Sequence, residues 1–291
     1  DVVVAGGCES MSQVEHYTTD LRSGVRMGDM TLHDRLSRGR LMSQPIERFG
    51  VITGMIETAD NLAKDYAITR EEADAYAVRS HQNAAAAWAA GKFDDHLVKV
   101  EVPQRKGDPV IFDHDEGYRT DASMETLGAL RAIDGKRDPQ AIVTAGNASQ
   151  QNDAAAACLV VAEDKLEELG LEPSLWFGGW AAAGCDPSRM GIGPVPATQR
   201  LFERRGYSWD DIDLVELNEA FAPQVLAVLK GWGWSADDSR RDILNVNGSG
   251  ISLGHPIGAT GGRILADMAA EMHRSGAKYG LETMCIGGGQ G

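Results

Sequence analysis

Three short segments place reactive side chains where an apolar run gives way to a turn. In GHPIGATGG, residues 254–262, a histidine sits between a glycine and a proline, and a helical pattern follows. His255 is either a surface turn residue or an imidazole held near a helix N-terminus. There the positive end of the helix favours the neutral ring, a base or hydrogen-bond donor. In CIGGGQG, residues 285–291, Cys285 ends an apolar run before three glycines. It is either strand packing or a thiol beside a nest of backbone N–H groups, which can lower its pKa and let it exchange protons. In NEAFA, residues 218–222, Asn218 follows a short apolar run. It is a helix N-cap, or a fixed amide that orients a water or an oxyanion. Its neighbour Glu219 is read as a first-turn helix charge. The chain opens DVVVAGGCES, where Cys8 is either a nucleophile on a glycine turn or the packed end of a strand.

These residues need a scaffold, and the pattern around them supplies one. Residues 1–7 are predicted as a buried strand. The stretch 17–150 is polar and broken, with one well-signalled helix. Thr69 and Glu72 form a capping box, Gly91 is a natural stop, and Ala73, Tyr76, Ala77 and Ala84 recur at helical spacing. Residues 101–126 hold charges, prolines and glycines, and predict a surface excursion with short strands. The run Ala154–Val161 suits a buried helix or strand. Pro196 opens a helix that Gly206 ends. Residues 213–217 predict a strand feeding a helix with Phe221, Val225, Val228 and Leu229 on one face. Residues 243–247 predict another strand, and RILADMAAEMHR an amphipathic helix. Strands alternating with helices imply a layered α/β fold.

Composition narrows the function. A chain of 291 residues is one large domain or two ordinary ones, and 43% apolar residues suffice for a sizeable core. The net charge of −15 disfavours nucleic acid or an anionic membrane as partner. No run of 18 apolar residues appears, which excludes the usual membrane span. The four cysteines, Cys8, Cys158, Cys185 and Cys285, form no CxxC pair. That spacing predicts no metal site and fits free thiols in a reducing compartment, the cytoplasm or an organelle matrix.

Taken together, NEAFA, GHPIGATGGR and CIGGGQG, in this order and at these separations, resemble the thiolase family. GNASQQNDAAA, AGGCES, RSGVRMGDMTL, MIETADN and DPSRMGIGPVPA resemble further family segments, so the likeness runs through essentially the whole chain. The resemblance implies a layered αβαβα fold of two related halves with an inserted loop domain. Residues 1–16 and 152–170 would belong to the N-terminal half, 17–151 to a loop domain covering coenzyme A, and 171–291 to the C-terminal half. It implies acyl transfer between coenzyme A thioesters. The thioesters are substrates, no separate cofactor is needed, and the assembly is a homodimer or homotetramer. His255 would activate the acylated cysteine and, with Asn218 acting through a water, hold the thioester enolate oxygen. Cys285 would move the proton at Cα, and the Gly287 backbone would hold the oxygen of the acyl-enzyme's tetrahedral intermediate. Ser149 would contact the pantetheine arm, Arg119 the phosphates, and Met55 and Phe221 the pantetheine tunnel.

The chain also departs from the family pattern. Gly54, Met55 and Ile56 stand where many biosynthetic members carry His-Met-Gly, Ala132 and Ile133 interrupt an LRP segment, and Gln150 replaces a common glycine. These changes lie in the acyl and pantetheine region of the resemblance, so a plain acetoacetyl-CoA specificity does not follow from it and a larger acyl substrate stays open. The family's acylated cysteine lies upstream of the AGGxES strand, so the nucleophile is expected in a segment preceding Asp1, and a further strand is expected after GGGQG. If VVVAGGCES and ETMCIGGGQG are matching strands of the two halves, Cys8 falls where Gly289 falls, and is structural. A ketoacyl synthase would use other histidine motifs. A non-catalytic thiolase-like protein binding CoA or lipid, or serving as a complex subunit, is the alternative class, and the retained NEAF argues against it.

Overall fold

The computed structural model describes residues 1–50 and 54–291. The elements that position the candidate residues begin with β1 (Val2–Ser10), α1 (Arg35–Leu41), α2 (Met55–Asp65) and α3 (Arg70–Ala89). A short hairpin of β2 (Val100–Val102) and β3 (Val110–Phe112) follows, then β4 (Asp153–Val161) and α4 (Pro194–Arg205). The chain closes with β5 (Leu214–Leu217), α5 (Ala222–Gly231), α6 (Thr260–Ser275) and β6 (Gly280–Thr283).

Local chemistry sets several of these boundaries. Thr69 accepts from the Glu72 backbone N–H while the Glu72 carboxylate accepts from the Thr69 N–H, closing the capping box that starts α3. Asp34 caps α1 through the N–H groups of Leu36 and Ser37. Gly206 ends α4 in the left-handed region, which a side chain would resist.

Two strand pairs carry the glycine-ended segments. β1 and β4 run antiparallel, with Val2 opposite Val161 and Ser10 opposite Asp153. The run Ala154–Val161 is therefore a strand. β5 and β6 run parallel, with Leu214 opposite Gly280 and Leu217 opposite Thr283. The two pairs differ in burial. Every residue of β5 is buried, but β1 is not the buried strand its valines predict. Val2, Val3 and Val4 are exposed, because among the described residues β1 pairs only with β4 and only its Ala5, Gly7 and Glu9 face is partly covered.

The main core lies under β5. Leu217, Val225, Val228 and Leu229 pack there with Leu62 and Ala63 of α2 and Ala73, Tyr76 and Ala77 of α3. Helices from the stretch 17–151 thus share a core with the 171–291 stretch. The hairpin β2–β3 stays exposed, as its charges and glycines predict.

Residues 243–247 do not form the predicted strand. Leu244 makes one parallel bridge to Val215, and then Asn245 turns to a positive φ of 47°. The Asn245 side chain takes over the pairing. Its Oδ1 accepts from the Leu217 N–H at 2.9 Å, and its Nδ2 donates to the Leu217 carbonyl at 2.8 Å. An amide side chain can mimic a backbone rung, and asparagine tolerates the left-handed region better than most residues. Among the described residues, no helix is long and apolar enough to cross a membrane.

Candidate active site

The ends of β5 and β6 meet at one place. The backbone N–H of Asn218, the residue after β5, donates to the Thr283 carbonyl at the end of β6, at 3.0 Å. Cys285 lies two residues beyond. The short pairing of Ala148 with Phe221, with Ser149 N–H donating to the Ala220 carbonyl at 2.9 Å, brings the GNAS segment to the same edge. This placement follows the general rule that α/β folds build their sites at strand ends.

Asn218 is fully buried, and α5 begins four residues later with Phe221 as its N-cap. The capping role open to Asn218 is therefore not the one it takes. Its Nδ2 lies 3.3 Å from His255 Nε2, and its Oδ1 has no partner. On its other side, His255 Nδ1 lies 2.8 Å from the Thr260 hydroxyl, in the first turn of α6. A hydroxyl can donate or accept, so this contact supports either tautomer and leaves Nε2 as the working nitrogen. Desolvation, helped by the nearby Arg263 charge, pulls the His255 pKa down to about 4. The ring is neutral at pH 7. The cause is mainly burial rather than the helix end.

The turn that carries His255 is held by the start of the chain. A Cβ on Gly7 would collide with the Gly258 carbonyl oxygen, and one on Gly258 would come within 2.6 Å of the Cys8 carbonyl oxygen. Gly258 N–H donates to the Glu9 carboxylate at 3.1 Å. Only glycine at both positions permits so close an approach. The AGGCE segment therefore supports the histidine turn with its backbone, and the Cys8 thiol points to the exposed side.

Cys285 sits in a different setting. It is 5% exposed and packs with Met190 and Ala220, with Met55 and Phe221 beside them. These residues line a small apolar cleft together with Thr58, Ala59 and Gln224. Burial pushes the Cys285 thiol up to about 12, with the neighbouring Cys185 adding and Arg40 opposing. This corrects the expectation of a lowered pKa: the glycines are present, but desolvation outweighs any nest. Beyond it, Gly287 adopts a positive φ of 61° inside the turn closed by Ile286 and Gln290. Its N–H has no acceptor among the described residues, so it is available to a ligand oxygen.

The structure thus gathers Asn218, His255, Cys285, Gly287, Met55 and Phe221 around one edge, with Ser149 joined to it. Arg119 is farther out. Its backbone N–H donates to His81 Nδ1 at 3.2 Å, and its side chain is exposed at the rim. Gln150 links that rim to the site, donating to the Gly117 carbonyl at 2.7 Å and to the Ile251 carbonyl at 3.3 Å.

Sequence reasoning missed two residues. Glu219 is not a surface charge on a first helical turn. It is 1% exposed and accepts from Tyr76 at 2.8 Å, Ser80 at 2.6 Å, Asn245 at 2.9 Å and the Ile251 N–H at 3.3 Å. Its four donors satisfy the buried carboxyl oxygens and fix the backbone next to Asn218. Gln224 is 1% exposed, lines the Cys285 cleft, and has neither amide atom hydrogen-bonded. A glutamine two residues into the apolar face of α5 was the one signal for it. Among the described residues, no three His, Cys, Asp or Glu side chains gather to hold a metal.

Residues 1–164 match the thiolase N-terminal domain model, and residues 171–291 match the thiolase C-terminal domain model. The chain is 49% identical to an acetyl-CoA acetyltransferase of Chromobacterium violaceum over 292 aligned positions, covering all of this chain and 71% of that protein. It is 46% identical to an acetyl-CoA acetyltransferase of Cupriavidus necator, again over all of this chain and 71% of the relative. Its fold is similar to the crystal structure of human mitochondrial 3-ketoacyl-CoA thiolase, with a TM-score of 0.90 at 40% identity, covering all of this chain and 70% of that one. A structure of the human enzyme in complex with CoA gives a TM-score of 0.89 at 39% identity over all of this chain and 69% of that one.

Proposed function

The chain belongs to the thiolase family, and from that premise we propose that it transfers acyl groups between coenzyme A thioesters. It cleaves a 3-oxoacyl-CoA with CoA, or condenses two acyl-CoAs in the reverse sense. One observation carries this reading: a neutral His255, held by Asn218 and Thr260, is joined through Asn218 to the end of β6, where a neutral buried Cys285 follows two residues on.

Each group does what its surroundings allow. His255 Nε2 takes the proton of the nucleophilic thiol that becomes acylated. Once it carries that proton, Nε2–H and the Asn218 amide face the oxygen where enolate charge develops. Cys285 rests as a thiol and donates its proton to the enolate carbon released by C–C cleavage. In condensation the same sulfur removes the Cα proton. The unpartnered Gly287 N–H holds the oxygen of the tetrahedral intermediate. The apolar cleft of Met55, Met190 and Phe221 keeps water from the carbanion. Ser149 and Arg119 contact the pantetheine arm and the phosphates of CoA.

The test uses the full-length polypeptide and acetyl-CoA, with the acyl-enzyme read by mass. Wild type acquires one acetyl group and cleaves a 3-oxoacyl-CoA. His255→Ala does neither. Cys285→Ala is acetylated but does not cleave. Absence of acylation in wild type, or full cleavage by Cys285→Ala, overturns the reading.

A further inference from the structure

Beneath the first turn of α6 lies a group of charges that the acyl-transfer steps do not use. Glu216 of β5 and Glu282 of β6 stand directly opposite each other in the parallel ladder, so both side chains leave the same face of the sheet. The alternate residues Val215, Leu217 and Leu281 enter the main core, and the two acids take the other face, against α6. Glu216 is 1% exposed, and its Oε2 has no partner. A Cβ on Gly261 would lie 3.6 Å from Glu282 Oε1, which sets that carboxyl against the opening turn of the helix. Like charges opposite one another on a buried face repel, so the two acids do not ionise together. Burial raises both, Glu216 well above the ordinary range and Glu282 to about 7.

Arg263 links these acids to the histidine. It lies three residues after Thr260, one turn along the same face of α6, and Thr260 holds His255 Nδ1. Its Nη1 donates to Asp267 at 2.8 Å, while Nε and Nη2 are buried with no acceptor. Asp267 is itself shared, since its Oδ1 lies 2.8 Å from His96 Nε2. The guanidinium is therefore only partly answered. Burial does most to hold His255 neutral, and the Arg263 charge adds to it. Burial raises Glu282, and the same charge opposes it. Other charges face this group. Glu219 and Asp267 act on Glu216, Asp115 and His114 lie beyond the β2–β3 hairpin, and Glu9 of β1 is taken up by the Gly258 N–H.

We propose that Arg263 and Glu282 form an electrostatic control on His255, in which the guanidinium keeps the imidazole unprotonated and ionisation of Glu282 offsets that charge and makes the imidazole a stronger base. Both are positioning residues, because neither touches the reacting atoms. The inference rests on the thiolase reading, which takes His255 as the base. Its consequence is a gain in rate as pH rises through 7, which a histidine already neutral there does not give by itself.

Imidazole nitrogen NMR on the full-length protein, with His255 identified by its absence in His255→Ala, reads the coupling without turnover. Wild type is expected to show a step in the His255 resonances near pH 7 and protonation only toward pH 4. Glu282→Gln removes the step. Arg263→Gln moves His255 protonation up by about one pH unit, the scale of one nearby charge, and Arg263→Lys restores it. If Arg263→Gln does not fold because Asp267 loses its partner, Arg263→Gln combined with Asp267→Asn takes its place. In thiolysis, the ratio of kcat/KM above pH 7 to that below it should fall by about threefold in Glu282→Gln, with the low-pH activity unchanged. A step that survives in Glu282→Gln, or a His255 titration indifferent to Arg263→Gln, overturns the proposal. So does a loss of activity in Glu282→Gln that is equal at every pH, the mark of a merely structural role. Should wild type cleave no thioester, the thiolase reading fails, and the His255 resonances still decide the roles of Arg263 and Glu282.

Discussion

His255 and Cys285 are built on opposite principles. The histidine is held by polar contacts on both sides, the Asn218 amide and the Thr260 hydroxyl, in a turn pinned by Glu9. The cysteine is held by packing alone, among Met190, Ala220, Met55 and Phe221. Burial nevertheless drives both to the uncharged form, down to about 4 for one and up to about 12 for the other. A polar frame fixes direction, whereas an apolar frame fixes only position. The lesson is that this edge keeps its reactive pair neutral at rest, so that charge appears only when a substrate brings a carbonyl oxygen to the waiting donors.

That contrast can be broken most forcefully at His255. His255→Ala is expected to lower kcat/KM for thiolysis by about 10³-fold or more, because base and oxyanion donor are lost together. The acyl-enzyme assay should show the loss already in the first half-reaction. Cys285→Ala is expected to cost about 10²-fold or more in carbon–carbon cleavage, with acylation close to wild type. Thr260→Val keeps the shape of the side chain but strands His255 Nδ1. A loss of about tenfold in kcat is expected, the scale of one unsatisfied buried polar group.

The mildest test is pH. The folded His255 pKa lies near 4 against an ordinary 6.5, so the unfolded chain binds more protons between those values. The stability it contributes is fully present above about 6.5 and is lost as pH falls through 4. Glu282 has the opposite sign. Burial raises it from 4.5 to about 7, so its contribution is present below 4.5 and is lost as pH rises through 7. Thermal melts of Glu282→Gln and His255→Ala across this range should therefore separate. The first loses the decline toward pH 7 and the second the decline toward pH 4.

Local rules written in adjacent residues proved legible. The Thr69–Glu72 box, the Gly206 stop and the helix that carries Val225, Val228 and Leu229 all need only near neighbours to be seen. The motifs around Asn218, His255 and Cys285 were visible because each joins a reactive side chain to a glycine turn or an element end in a few adjacent residues. What stayed hidden depends on distant partners. The Cys285 pKa is set by Met190, Met55 and Phe221 packing over it, not by the adjacent glycines. The valines of β1 predict burial, but coverage depends on what packs over the strand. Residues 243–247 have strand composition, yet Asn245 leaves the ladder because its side chain finds Leu217. Val51–Thr53, beside the Met55 segment, lie outside the described residues.

Glu219 has a consequence for the order of events when the molecule comes apart. Its donors lie 143, 139, 26 and 32 residues away in the chain. Any partly folded form that buries this carboxyl group before α3 docks leaves it without Tyr76 and Ser80, two of its four donors, at a cost of about 1–3 kcal/mol for each buried bond left unmade. Such forms are scarcely populated, so the machinery beside Asn218 cannot fray on its own. Loss of activity on heating should therefore coincide with loss of the far-ultraviolet helical signal, which would make catalysis here a gauge of global rather than local cohesion.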